Sequence, residues 1–148
     1  MSITTSYKTE IVLPKPQLRS FQGNIKGSPC MGIMQLAVDK IVKERGGAVT
    51  QGYQDCAGKA HPCIMGLSTP AFPRGIGVGL DAEGQVLFQY DQEGANVNEA
   101  KAICNDLARA YAVVAVMRVR QKQGYRVSIE KETPGASGVE VQTIAVRQ

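Results

Sequence analysis

Apolar positions between Asn96 and Gly124 recur at the spacing of a helix. At about 100° per residue Ala100, Ile103, Cys104, Leu107, Tyr111, Val114 and Ala115 fall on one stripe, while Glu99, Lys101, Asn105, Asp106 and Arg109 lie away from it. Past Tyr111 the pattern changes, because Ala112, Val113, Val116 and Val119 sit on the face that was polar two turns earlier. Asn96 and Glu99 predict a capping box, in which the Asn side chain accepts from the first amides and Glu99 reaches back to the cap. Gly124 is the expected stop, with Arg118, Arg120 and Lys122 near the negative end of the dipole. One helix of roughly 40 Å is predicted at ~1.5 Å per residue.

The rest of the chain reads as shorter elements around it. Tyr7 to Leu13 has strand character and ends at Pro14 and Pro16, which suits an edge or first strand. Gln17 to Gly27 has no sustained period and reads as a surface loop. Ser28 and Pro29 predict an N-cap and first position for a second helix, whose stripe is Met31, Met34, Ala37, Val38, Ile41 and Val42, and Gly46-Gly47 ends it. Strands are expected over Ala48 to Tyr53 and Cys63 to Ser68, separated by a loop from Gln54 to Pro62. Ile76, Val78 and Leu80 alternate opposite Val86, Phe88 and Tyr90, so Gly75 to Leu80 and Gln85 to Tyr90 form a hairpin about Asp81 to Gly84. After the long helix, Tyr125, Val127 and Ile129 and then Val139, Val141 and Thr143 predict a second hairpin.

This order implies an α+β fold: an antiparallel sheet with two helices, the second long, on one face. A chain of 148 residues fits one domain, residues 1–148, and can bury a core without staples. Its net charge of +4 permits an acidic partner without demanding one, and the basic residues are scattered rather than gathered on one face. The start lacks a basic region followed by an apolar run, and the longest apolar run is too short for a bilayer. A cytoplasmic protein without membrane insertion is the expectation, with its four cysteines as reduced thiols.

Several segments, in order, resemble one family. YKTEI at Tyr7, GYQ at Gly52 to Gln54, GVGLDAEG followed by FQYD with Gly79, Gly84 and Asp91, RAYAVV, and KQGYRV are similar to the hypothetical chloroplast open reading frame thirty-five proteins of red-algal plastids and cyanobacteria, with bacterial relatives. The segments span most of the chain. The resemblance implies the α+β fold and a cytoplasmic or stromal setting, and it transfers no catalytic residue. The chain departs from the pattern over Gln17 to Gly27 and in the cysteine-bearing segment.

Chemistry-bearing residues are few. Cys56, His61 and Cys63 place two soft ligands and an imidazole in one loop, which suits zinc or iron if Cys30 joins them as a fourth ligand. The spacing is not that of a zinc knuckle, and Pro62 separates two of the donors; the blander alternative is one packed strand cysteine and two loop residues. His61 is the only histidine, so a Cys–His nucleophile would have to use it. Cys104 lies on the buried stripe as a small hydrophobe. Arg74 to Gly79 resembles a phosphate loop only in its glycines, since a hairpin turn rather than a helix follows. Gly75, Gly77 and Gly79 instead bare one strand face, which lets a helix or a ligand come close to the backbone, and close packing of the long helix near Tyr111 is the first expectation. Arg118, Arg120, Lys122 and Arg126 form a basic helix end, without the paired exposed aromatics of a single-strand platform.

A small non-catalytic binding or assembly module, acting through protein–protein contacts and needing no cofactor, is therefore the first expectation. Its partner surface would be Ala112, Val113, Val116 and Val119, rimmed by Arg109 and Arg120, for self-association or another protein. A metal- or thiol-dependent redox protein or enzyme using Cys56, His61 and Cys63 is the alternative. Nucleic-acid binding is the weaker one.

Overall fold

A computed structural model of the protein describes residues 4–122, 125–135 and 138–147, with side chains described up to residue 121. The elements in chain order are β1 (Thr4–Val12), α1 (Lys15–Ser20), α2 (Pro29–Arg45), β2 (Ala48–Gln54), β3 (Ala60–Thr69), β4 (Phe72–Leu80), β5 (Gln85–Asp91), α3 (Val97–Lys122), β6 (Tyr125–Gly135) and β7 (Gly138–Arg147). The fold is α+β. Five antiparallel strands run in the order β1-β5-β4-β3-β2, and β6 and β7 pair with each other. The expected stop at Gly124 and the side chains of Lys122 and Arg126 lie outside the described residues.

Local chemistry sets the helix ends. Ser28 caps α2 by accepting from the Met31 amide at 3.3 Å, Pro29 occupies the first turn, and Gly46 closes the helix at φ +70°. In α3 the Asn96 side chain accepts from the Glu99 amide at 3.2 Å, but Glu99 does not return the bond. Its carboxylate receives Arg45 at 2.7 Å, and Arg45 also reaches Asp106, so an ion-pair cluster ties the end of α2 to the start of α3. The tertiary charge outcompetes the local cap.

Both helices cover one face of the sheet. Met31, Met34, Ala37, Val38 and Ile41 of α2 and Ala100, Ile103, Cys104 and Leu107 of α3 are buried in a single cluster with Met65, Leu67, Ile76, Val78, Val86, Phe88 and Tyr90. Tyr7 stacks on Phe88 with ring centroids 5.9 Å apart and donates to Asn105, joining the edge strand to α3. Burial lifts the Cys104 thiol to about 12, which makes it a packing group at neutral pH.

Two further expectations change. The stretch from Gln17 to Gly27 is not all loop: α1 occupies Lys15–Ser20 and a single 3₁₀ turn Ile25–Gly27. Proline at the start of α1 hid it, because six residues are too few for a period to show. The glycine face of β4 is not covered by α3 either, since Ile76 and Val78 already point at the helices. A β-carbon on Gly77 would lie 2.3 Å from Cys63 Sγ and 3.3 Å from Tyr53 Cδ1, so the occupants are side chains of β3 and β2 on the second face.

Candidate functional site

The second face of the sheet is covered by the β2–β3 hairpin, which bends back over it. Thr50 pairs with Gly66 and Gly52 with Pro62, so three residues of β3 lie between partners where β2 has one. This bulge sends Cys63 to the face opposite Met65 and turns the hairpin tip toward β5 and β1. The tip is held there by two contacts distant in sequence: the Cys56 amide donates to Asp91 Oδ2 at 2.7 Å, and Thr4 Oγ1 lies 3.2 Å from the Tyr53 hydroxyl. Asp91 is fully buried.

Within the hairpin, Tyr53 and His61 pair across the strands and stack nearly parallel, with centroids 4.9 Å apart. His61 Nε2 lies 2.9 Å from Asp55 Oδ2, while Asp55 Oδ1 accepts from the amides of Ala57 and Lys59. The turn is one of three with the pattern Asp-x-x-Gly: Asp55 to Gly58, Asp81 to Gly84 and Asp91 to Gly94. In each the Asp accepts from the amide two residues on, and the Gly takes positive φ. That repeated pattern was the available signal for Asp55 and Asp91, which sequence reasoning passed over.

Asp55 is held below the usual carboxylate range, chiefly by the hydrogen bond to His61 and next by the Lys59 amide, against the opposing effect of burial. A carboxyl whose folded pKa is depressed contributes stability above its unfolded value of about 4, and that contribution is lost as pH falls through the folded value. Wild-type protein should therefore lose more stability than Asp55→Asn between about pH 5 and pH 2, read as urea midpoints at the two ends. Equal losses would show that the Asp55 interactions add nothing to the fold.

Cys63 donates weakly to the His61 carbonyl at 3.6 Å and to Gln89 Oε1 at 3.8 Å, and burial raises its thiol above the ordinary value. Its hydrogen bonds go to these oxygens while the His61 ring nitrogen is taken up by Asp55, an arrangement that keeps the thiol protonated. Gly77→Ala should cost about 2–3 kcal/mol, because the new methyl meets the sulfur in a close-packed layer. In a Cys63→Ala background, which removes the sulfur but keeps a Cβ 3.0 Å from the new methyl, the same change should cost at least about 1 kcal/mol less. Identical costs in both backgrounds, measured by denaturant unfolding, would mean that the strain lies in the strand itself.

The residues proposed as metal donors are divided by the sheet. Cys56, His61 and Cys63 belong to the hairpin on the second face, whereas Cys30 sits at the start of α2 and bonds Tyr111 in the helical layer, helping to raise the tyrosine hydroxyl after burial. Among the described residues, no three His, Cys, Asp or Glu side chains are grouped to hold a metal ion. Beside the hairpin lies a hollow of about 280 Å³, lined by Thr50, Tyr53, His61, Ser68, Pro73 and Arg74 among others.

The second candidate region is the far end of α3. Val119 is 56% exposed, Val116 and Ala112 are half-buried, and Arg120 is exposed; Val113 is only 2% exposed and belongs to the interior. Arg109 is half-buried and lines a different hollow, with Lys40 and Asp106. Ala115, Val116, Val119 and Arg120 wall a hollow of about 450 Å³. Arg118 lines another of about 390 Å³ with Phe21, Ile33 and Leu36 of the neighbouring segments. Among the described residues, no helix is long and apolar enough to cross a membrane. No protein-family model, curated protein or solved structure matches the chain.

Proposed function

We propose that this protein is a small non-catalytic binding module that docks a protein partner on the last turns of α3. One observation supports this reading above others: the exposed apolar hollow of about 450 Å³ walled by Ala115, Val116 and Val119 at the end of the longest helix. A separate hollow lined by Arg118 also carries the apolar side chains of Ile33 and Leu36, and Leu36 is 39% exposed. Contiguous apolar surface rimmed by polar groups is characteristic of interfaces.

Charge indicates the partner's chemistry. Arg118 and Arg120 are exposed, and neither forms an ion pair among the described residues. A second copy docked two-fold on the same patch would bring two arginine rims together. A partner presenting an apolar segment flanked by carboxylates meets the surface without that cost. The order of the short segments from YKTEI to KQGYRV further supports kinship with the plastid and cyanobacterial family and a cytoplasmic setting.

A photo-reactive phenylalanine analogue at Val119 tests the surface in the source cells, with the same probe at Val49 as control. Val49 is 49% exposed on the edge strand β2, so accessibility is comparable. A discrete adduct with a different protein, formed from Val119 alone, is the expected result. Adducts of twice the chain mass would indicate self-association, and equal labelling from both positions would contradict a localised surface.

A further inference from the structure

We infer that the hollow beside the folded hairpin is a binding site for a small organic monocarboxylate with an apolar body. This goes beyond the α3 surface, which lies at the end of a helix packed on the opposite face of the sheet. Arg74 carries the inference. It is half-buried on β4, it donates through Nη1 to the Glu93 carbonyl, and no carboxylate among the described residues lies within ion-pair distance of it. Charges withdrawn from water are ordinarily paired with a carboxylate, and here the Arg74 side chain lines a hollow of about 280 Å³ instead.

The shape of the donor set selects the ligand. With Nη1 engaged by a neutral carbonyl, the guanidinium keeps further N–H donors and its full charge, which suit the two oxygens of a carboxylate. Ser68 and Thr50 line the same hollow, though the Thr50 hydroxyl already donates to the Gly52 carbonyl at 2.7 Å, which leaves its lone pairs as acceptors. Ser68 remains as a second hydroxyl donor. A dianion such as phosphate would meet a single guanidinium, because the His61 ring nitrogen is already bonded to Asp55. Tyr53, Pro62 and Pro73 give a hydrocarbon or ring body rigid apolar surface to lie on, beside the amide side chains of Gln51 and Gln54. The volume fits a metabolite-sized molecule rather than a folded segment of a partner.

Benzoate is the probe, benzamide its uncharged counterpart and inorganic phosphate the anion control, each titrated into the whole protein and followed by amide and arginine side-chain NMR. Benzoate should shift Gly52, Ser68 and the Arg74 side chain saturably, at least about tenfold more tightly than benzamide or phosphate. Arg74→Gln should reduce benzoate to the benzamide level, and Ser68→Leu, which fills the hollow while leaving Arg74 in place, should abolish both. The wild-type comparison stands even if either variant fails to fold. Equal affinity for benzamide, equal affinity for phosphate, or no saturable shift at these residues overturns the inference. So does an acetylated dipeptide ending in phenylalanine that binds more than tenfold tighter than benzoate, since that result would assign the hollow to a polypeptide terminus.

Discussion

Gly52→Ala should release the β2–β3 hairpin from the sheet and cost about 4 kcal/mol or more. A β-carbon built at Gly52 lies 2.0 Å from the His61 carbonyl oxygen, 2.9 Å from its carbon and 3.0 Å from Pro62 Cα. All three neighbours are backbone, so no side chain can swing aside. Gly77 differs, because its nearest neighbour is the Cys63 sulfur and a second substitution can remove it. At Gly52 the strands themselves must part, and the parting falls at the bulge where the hairpin bends. The Tyr53–His61 stack and the Cys56–Asp91 bond lie beyond that point and should be lost together. Denaturant unfolding gives the cost, and hydrogen exchange gives its location. Faster exchange of the Cys56 and Lys59 amides, with the core of α2 unchanged, is the expected pattern. A loss below about 1 kcal/mol would mean that the edge strand accommodates the methyl by a small shift.

The helices and the central hairpin were legible because their signals are local. Ser28, Pro29 and Gly46 act within one turn of themselves, and the Met31 to Ile41 stripe is buried as its spacing predicts. Ile76, Val78, Val86, Phe88 and Tyr90 alternate inward in the same way. What the sequence concealed was the second face. A bulge of two residues in β3 reverses which side Cys63 occupies, and nothing in the apolar alternation of Cys63 to Ser68 marks it. The consequence propagates: Tyr53 and Cys63, rather than α3, fill the space over Gly77, and Cys30 is left on the other side of the sheet from His61. Glu99 illustrates the same limit at a helix end, where Arg45, 54 residues away in sequence, takes the carboxylate that a local rule assigned to the cap. The Asp-x-x-Gly turns were readable as turns, but the sequence could not tell that Asp91 would also anchor a loop 35 residues distant.

For the end of α3 the sequence placed the apolar residues, and their accessibility varies along the helix. The change of apolar face after Tyr111 is real, and Val116 and Val119 are accessible; Val113, one turn earlier, is interior because the helix buries a wider arc there than a single stripe describes. Val116→Glu therefore tests docking without touching the main core. A carboxylate there can reach water in the isolated protein, whereas docking would bury it unpaired against an apolar segment beside the partner's own acidic rim. The decisive measurement is the affinity of the protein trapped at Val119 for wild type and for Val116→Glu, with urea midpoints of both proteins determined alongside. Docking on α3 predicts binding weakened by at least about 100-fold, equivalent to roughly 2.8 kcal/mol, at an unchanged midpoint. Unchanged affinity, or loss of binding only in step with loss of the fold, would contradict it.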